Sequence, residues 1–308
     1  MSVAGDADDP RRDPRALRLV AGDLAALFLP AHGMLCASLT CHGVECLRRV
    51  DDLAAAAKAG SAAGIPLLHP WANRLDGLRY RAAGREVALD PSSTLLHFDA
   101  NGLPIHGVPW SRLEWQVLSS ASSRIVAMLD WTRDDLLRVF PFAHRLLMTA
   151  TLAADGLTIS IALHAGAEGA VPVSFGFHPY FGIAGAPRDA WRLRLPPMRR
   201  LRLDARGIPT GESTDCAAGD AALGERALDD AFALRDERAS LGLEAGGRQA
   251  TVETLDGYRY AQIYAPKGGD CVALEPMTAP TAALSSGRGL TVIGPGGRFD
   301  AAFRIIVA

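Results

Sequence analysis

The chain has 308 residues, of which 49% are hydrophobic and 21% are charged, and its formal net charge at pH 7 is −2. This composition predicts a large globular core, and the lack of a basic excess argues against a nucleic-acid partner. No apolar run is long enough to cross a bilayer, so no membrane partner is expected. The odd number of cysteines, five, favours a reducing compartment over a disulfide framework, and the expected location is the cytoplasm.

The first 15 residues are polar, mix acidic and basic side chains, and contain Pro10 and Pro14. This pattern predicts a disordered N-terminal tail over residues 1–15. No linker or internal repeat divides the remainder, so residues 16–308 are predicted to form a single domain.

Short runs of alternating apolar residues dominate the rest of the chain and predict β-strands. A meander is expected from Leu17 to Leu47, with turns at Gly22-Asp23 and His42-Gly43. Further strands are predicted at Arg124 to Trp131, His144 to Leu152, Leu157 to Leu163, Trp191 to Leu195, Gln249 to Thr254, Ala261 to Tyr264, Cys271 to Leu274 and Phe303 to Val307.

Two segments of this chain break the strand pattern. Asp51 to Ala59 predicts a short helix, capped by Asp51 and stopped by Gly60, and the Ala- and Gly-rich segment Asp215 to Gly224 predicts a surface loop. Because strands do not alternate with long amphipathic helices, a parallel α/β fold is disfavoured. The sequence predicts an all-β protein, a large sandwich of antiparallel sheets.

Several common functional motifs are missing from the sequence. It contains no GxGxxG after a strand, no GxxxxGK[ST] and no GxSxG, so nucleotide binding and a serine-hydrolase site have no support. Cys36, Cys41, His42 and Cys46 are close together but do not have the spacing of a zinc site. We therefore expect ordinary thiols there, with no metal and no cofactor in the chemistry.

Five segments place polar side chains beside Pro, Gly or aromatic residues, as loops around a cleft often do. They are His69 to Arg74, Ile105 to Gly107, Phe177 to Phe181, Leu228 to Phe232 and Leu274 to Thr278. Sugar recognition needs planar polar groups and aromatic platforms, which these segments supply in Asn73, Arg74, Asp229, Trp71, Tyr180 and Phe181. Chemistry at an anomeric carbon needs one proton removed and another donated, and His178 and Glu275 are suitable residue types.

Residue types alone leave alternatives open. His178 could be a hydrogen-bonded structural histidine, Glu275 a surface charge, and Trp71 and Phe181 plain core aromatics. The prolines after His178 and Glu275 favour an extended backbone at both residues, which would place each side chain at a stiff strand end.

The order of these segments resembles the aldose 1-epimerase (galactose mutarotase) family over nearly the whole chain. The most specific element is Pro172-Val173-Ser174-Phe175-Gly176-Phe177-His178-Pro179-Tyr180-Phe181. It is accompanied by Pro70-Trp71-Ala72-Asn73-Arg74-Leu75, His106-Gly107 and an Asp-x-x-Phe element at Asp229 to Phe232. The resemblance implies a galactose mutarotase-like β-supersandwich.

The resemblance also implies roles for individual residues. His178 matches the general acid that protonates the ring oxygen, and Glu275 matches the general base that takes the proton from the C1 hydroxyl. Arg74 and His106 match residues that bind sugar hydroxyls, with Asn73 binding sugar or supporting Arg74. Asp229 matches the acidic substrate ligand, and Asp230 is its rival.

The expected activity is interconversion of the α and β anomers of a free aldose such as glucose or galactose, by a monomer or a homodimer. One alternative is a phosphorylated or acidic sugar, which would need extra cations such as Arg79 or Arg288 near the cleft. Another is a non-catalytic sugar-binding protein, although a pure binder needs no acid–base pair. A hydrolase would want two carboxylates flanking the bond. The segment between His178 and Asp229 is short for galactose-specific members, so the choice of sugar stays open.

Overall fold

The computed structural model describes residues 9–308. Residues 1–8 of the predicted tail lie outside this range, but its second half differs from the prediction. Pro10–Arg12 form a 3-10 helix in which Pro10 is buried, and the Arg11 guanidinium donates to the Val50 carbonyl at 3.2 Å. This segment is therefore ordered against the rest of the protein, because Pro10 is buried and Arg11 is hydrogen-bonded to a distant backbone carbonyl.

The N-terminal strands form a four-stranded antiparallel meander in chain order. The strands are β1 (Leu17–Ala21), β2 (Leu24–Leu29), β3 (Leu35–Cys41) and β4 (Val44–Glu45). Gly22 and Gly43 occupy the turns with φ of 59° and 74°, a left-handed conformation that glycine adopts without strain. The predicted meander and both predicted turns are confirmed.

The largest sheet has nine antiparallel strands in the order β18-β15-β20-β21-β25-β11-β10-β9-β8. In chain order the strands are β8 (Gln116–Ala121), β9 (Arg124–Trp131), β10 (His144–Ala153), β11 (Gly156–Ala165), β15 (Arg192–Leu195), β18 (Gly219–Ala222), β20 (Ser240–Ala245), β21 (Arg248–Asp256) and β25 (Arg298–Val307). Alternate residues of β9, β10 and β25 are buried, as their apolar alternation predicts.

The second large sheet has eight strands, with β17-β16-β19-β22-β23-β13-β5 in sequence across it and β14 also paired to β23. The strands are β5 (Leu67–Leu68), β13 (Gly176–Phe177), β14 (Tyr180–Phe181), β16 (Met198–Leu203), β17 (Pro209–Cys216), β19 (Leu228–Leu234), β22 (Tyr260–Ala265) and β23 (Val272–Met277). Strand β23 is buried along its whole length, which places it at the centre of the protein.

Two strand pairs and several short helices complete the fold. The pairs are β6 (Arg79–Ala82) with β7 (Arg85–Ala88), and β12 (Val171–Val173) with β24 (Thr291–Ile293). The α-helices are α1 (Leu53–Ala59), α2 (Asp134–Val139) and α3 (Ala283–Ser286), and further 3-10 helices span Pro30–His32, Trp110–Arg112 and Arg188–Ala190. No helix within residues 9–308 has the length and apolarity that a membrane crossing requires.

Helix α1 confirms the helix predicted after residue 50, but its cap differs by one residue. The Asp52 carboxylate, rather than that of Asp51, accepts a hydrogen bond from the Ala55 amide at 2.8 Å. Gly60 ends the helix with φ of 68°, as predicted. The two neighbouring aspartates are equivalent in sequence, and the helical register selects the second.

The predicted loop from Asp215 to Gly224 is wrong in most of its length. Residues up to Cys216 belong to β17 and residues 219–222 form β18, so only a short connection crosses between the two large sheets. Both strands lie at sheet edges and are mostly exposed. An edge strand needs no apolar face, which is why the local composition resembles that of a loop.

Most buried apolar residues form one contiguous hydrophobic cluster that contains residues from both large sheets and the meander, and smaller clusters accompany it. Its largest fully buried side chains include Trp71, Trp131, Tyr258, Phe177 and Phe303. The predicted all-β, antiparallel architecture is confirmed.

Candidate active site

The connection between β13 and β14 and the centre of β23 bring His178 and Glu275 into direct contact. His178 Nε2 lies 3.1 Å from Glu275 Oε1, and the two side chains are 5% and 1% exposed. The Leu274 amide donates to the Pro179 carbonyl at 3.4 Å, so the backbones beside the pair are joined as well. The two residues for which the sequence predicts proton transfer are therefore neighbours.

Aromatic rings surround His178 on several sides. The Tyr180 ring stacks on the imidazole with centroids 4.1 Å apart, and the His106 ring meets it edge-on at 5.2 Å. The Tyr264 ring stands at 6.3 Å, also edge-on. These contacts leave the imidazole little rotational freedom, so its Nε2 atom is held toward Glu275.

Burial determines how this pair holds its protons. Loss of solvation lowers the pKa of His178 to about 3. Burial also raises the pKa of Glu275 well above its ordinary value, and the Asp229 charge adds to that effect. Both shifts favour the neutral form, so the pair holds one proton between imidazole and carboxyl. Moving that proton across the 3.1 Å contact changes no net charge, which suits general acid–base chemistry.

Arg74 is held between two carboxylates near this pair. Its Nε donates to Asp99 Oδ2 at 2.7 Å, and its Nη2 donates to Asp229 Oδ2 at 3.3 Å. The Asn73 side-chain oxygen accepts from the Arg74 amide at 2.8 Å and from Nη1 at 3.1 Å. Asn73 therefore supports Arg74.

Two site residues have a left-handed backbone conformation, which is unusual for residues other than glycine. Asn73 has φ of 57° and His106 has φ of 64°, and the His106 amide donates to the Asn73 carbonyl at 2.9 Å. The neighbouring Gly107 also needs φ of 68°, and a Cβ there would lie 2.3 Å from the His69 carbonyl oxygen. Such local strain persists where surrounding structure enforces it, and it is common at functional sites.

The adjacent aspartates of β19 point to opposite faces of the sheet, because side chains alternate along a strand. Asp229 Oδ1 accepts from Gln262 Nε2 at 2.5 Å, while Oδ2 contacts Arg74. Asp230 instead pairs with Arg200 at 2.6 Å. The structure thus places Asp229, and not Asp230, with the other predicted site residues.

Three residues that the sequence did not single out also belong to the site: Asp99, Gln262 and Tyr264. Gln262 lies opposite Glu275 in the β22–β23 register, and Tyr264 lies opposite Asp229 in the β19–β22 register. Gln262 and Tyr264 are two residues apart on a strand that the sequence predicts, so their side chains lie on the same face. This spacing could have identified both residues from the sequence. Trp71 and Phe181, proposed as sugar platforms or core residues, are 1% and 0% exposed and belong to the core.

Several buried polar atoms of the site have no hydrogen-bond partner among residues 9–308. They include Nδ1 of His106, Nδ1 of His178, Oε1 of Gln262 and Oε2 of Glu275. Unpaired buried polar atoms are costly in a core, whereas a polyhydroxylated ligand offers both donors and acceptors to such atoms.

The profile of one protein family, aldose 1-epimerase, matches residues 17–305. The chain belongs to the aldose 1-epimerase family. Among curated proteins, the uncharacterized protein YphB of Escherichia coli K12 is 32% identical to this chain over 131 residues. That alignment spans 42% of this chain and 40% of the length of YphB.

Solved structures of similar fold cover almost the whole chain. A galactose mutarotase-like protein from Clostridium acetobutylicum is 19% identical, with a TM-score of 0.83 and 95% of each chain covered. A putative aldose 1-epimerase from Escherichia coli K12 is 21% identical, with a TM-score of 0.76 over 95% of this chain and 98% of that one. At this identity the likeness concerns the fold, which is galactose mutarotase-like as predicted.

Cys36, Cys41 and Cys46 lie in or beside strands β3 and β4 of the N-terminal meander. All five cysteines are free, and burial raises the pKa of the Cys36 and Cys46 thiols, the latter to about 11. Within residues 9–308 no three His, Cys, Asp or Glu side chains are grouped as metal ligands would be.

Proposed function

We propose that this protein is a mutarotase that interconverts the α and β anomers of a free aldose. The observation that carries the proposal is the 3.1 Å contact between His178 and Glu275 inside a buried polar site. The ring oxygen O5 and the hydroxyl oxygen O1 are both attached to C1. An acid and a base that serve these two oxygens must therefore be neighbours, and this pair meets that requirement.

In the reactive state the proton shared by the pair has moved from the Glu275 carboxyl to His178 Nε2 across their 3.1 Å contact, which leaves an imidazolium on His178 and a carboxylate on Glu275. Glu275 takes the proton from O1 while His178 gives its proton to O5, and the C1–O5 bond breaks to form the open aldehyde. Rotation about C1–C2 presents the other face of the carbonyl. On ring closure His178 takes its proton back from O5 and Glu275 returns its proton to O1, so the pair begins and ends with the same proton count.

The surrounding groups provide hydrogen bonds for the sugar hydroxyls. Arg74 and His106 donate, Asp229 accepts, and Gln262 can do both. Asn73 holds the Arg74 guanidinium through its side-chain oxygen. Tyr180 and Tyr264, which flank His178, present aromatic surface to the C–H faces of a sugar.

A neutral sugar fits the charges of the site better than a phosphorylated one. Asp99 and Asp229 compensate the charge of Arg74, which leaves that guanidinium little excess charge for a phosphate. Arg288, a candidate cation for an anionic substrate, donates instead to the Thr210 carbonyl at 3.4 Å. A purely sugar-binding protein would gain nothing from a buried acid–base pair.

Polarimetry of freshly dissolved α-anomers tests the proposal. Glucose, galactose and arabinose should each be compared with a buffer blank, because mutarotation also occurs without enzyme, and glucose 6-phosphate should be included. We expect acceleration for at least one free aldose and a smaller effect on the phosphate ester. The proposal is wrong if no aldose is accelerated, and a preference for the phosphate ester would overturn the assignment of a neutral substrate.

A further inference from the structure

Two short turns with nearly the same sequence flank Arg74. One is Asp99-Ala-Asn-Gly-Leu-Pro104 and the other is Asp204-Ala-Arg-Gly-Ile-Pro209. In each turn the aspartate Oδ1 accepts from the amides two and four residues ahead, at 2.8 to 2.9 Å. The sequence therefore builds the same rigid aspartate turn twice.

The two turns meet around the Arg74 loop. Leu103 and Ile208, at equivalent positions of the turns, form a small hydrophobic cluster with Ala282. The Ala282 amide donates to the Arg74 carbonyl at 2.9 Å. The backbone that carries Arg74 is thus held by contacts that join both turns.

The turns differ in what each aspartate does with its second carboxylate oxygen. Asp99 Oδ2 accepts from Arg74 Nε at 2.7 Å, and this pair is only 9% and 15% exposed. Asp204 Oδ2 instead lies 3.3 Å from Arg206 of its own turn, where both side chains are far more exposed. Only the first aspartate of the two acts on the site.

We propose that Asp99 is a positioning residue that fixes the Arg74 guanidinium for sugar binding. Its hold on Nε leaves Nη1 and Nη2 as the groups that face Asn73, Asp229 and the substrate. By sharing the positive charge, Asp99 also keeps Arg74 from closing fully onto Asp229, whose 44% exposed carboxylate stays available to a sugar hydroxyl. This inference rests on the proposed mutarotase function.

The matched variants Asp99→Asn and Asp204→Asn separate positioning from turn stability. Both keep a side-chain oxygen for the two turn amides, so both turns lose a similar amount of local support. Because that oxygen stays on the turn amides, the Asp99→Asn side chain presents its amide nitrogen to Arg74 Nε, and the charge-assisted bond is lost. For Asp99→Asn we expect KM to rise about tenfold with kcat within about threefold, and for Asp204→Asn both constants within about twofold.

A double-mutant cycle with Arg74→Ala tests whether Asp99 acts through Arg74. In the Arg74→Ala background, Asp99→Asn should lower kcat/KM by less than about twofold, because the group it positions is gone. A purely structural role would instead give the same loss in both backgrounds. An unchanged KM for Asp99→Asn, or an equal loss in the two backgrounds, would overturn the inference while leaving the proposed function standing.

A measurement that needs no activity completes the test. The Arg74 Nε–H resonance, assigned by its disappearance in Arg74→Lys, should lie downfield in the wild-type protein because of the short bond to a carboxylate. It should move upfield in Asp99→Asn and stay in place in Asp204→Asn. A resonance that does not respond to Asp99→Asn would refute the positioning role even if no aldose proved to be a substrate.

Discussion

Replacing Glu275 by glutamine tests the assignment of the base with little change in shape. Glutamine keeps an oxygen that can accept a hydrogen bond near His178 Nε2, now 3.1 Å from the carboxylate, but it cannot take up a proton. A positioned general base contributes about 10² to 10⁴ in rate, so kcat should fall by at least that order. KM should change by less than about threefold, because Arg74 and Asp229 still bind the sugar.

The assay is polarimetric mutarotation, with rates read above a buffer blank. The variant His178→Asn should lower kcat to a similar extent, and the double variant should be far less than multiplicative, since both residues act in one proton exchange. Near-normal kcat for Glu275→Gln above the blank would show that the base is another residue.

The same substitution should make the protein more stable at high pH. Burial raises the pKa of Glu275 above its ordinary value near 4.5, so the folded state binds this proton more tightly than the unfolded chain does. The free energy of unfolding is then greatest below that ordinary value and falls as pH rises through the raised pKa. Glutamine has no proton to lose. Urea unfolding at pH 5, 7 and 9 should show a stability gain for Glu275→Gln that grows with pH, and a pH-independent difference would refute this reasoning.

Three further predictions concern Arg74, its contacts and acid stability. Arg74→Ala should raise KM by about tenfold or more and lower kcat less, as progress curves over a range of sugar concentration would show. Gly207→Ala would place a Cβ 2.9 Å from Arg74 Nη1 and should also raise KM, whereas Gly185→Ala, with the same φ of 80° but open surroundings, should not. Burial lowers the pKa of His144 to about 4, so between pH 6.5 and that value the unfolded chain binds more protons than the folded protein does. The free energy of unfolding should therefore fall by about 1.4 kcal/mol for each unit by which the pH is lowered in that window. His144→Gln should reduce this slope in urea unfolding at pH 5 and 7, and an unchanged slope would contradict the assignment.

The strand pattern was predictable because it depends on residues that are close together in the sequence. Apolar alternation in β9 and β10 marks one face for burial, and glycines at turns mark where a strand reverses. Strands without an apolar face were not predicted. β17 and β18 lie at sheet edges, where hydrogen bonds to a distant strand, rather than local apolar residues, hold them in place.

The candidate site was predictable as a set of segments but not as a geometry. The sequence by itself identified His178, Glu275, Arg74 and His106 as residues suited to sugar chemistry, through residue type and through resemblance to a family. It could not establish their proximity, because their contacts join strands and loops that are far apart along the chain.

Tertiary structure alone decided between equivalent neighbours and revealed the supporting residue. Asp229 and Asp230 are the same residue type, and only the register of β19 against β22 shows which one faces Gln262. Asp99 and Asp204 lie in nearly identical turns, and only the packing of the chain brings one of them to Arg74 Nε. Local sequence specifies how each short segment is shaped, whereas the function of a side chain depends on which distant groups the folded chain places within hydrogen-bonding distance of it.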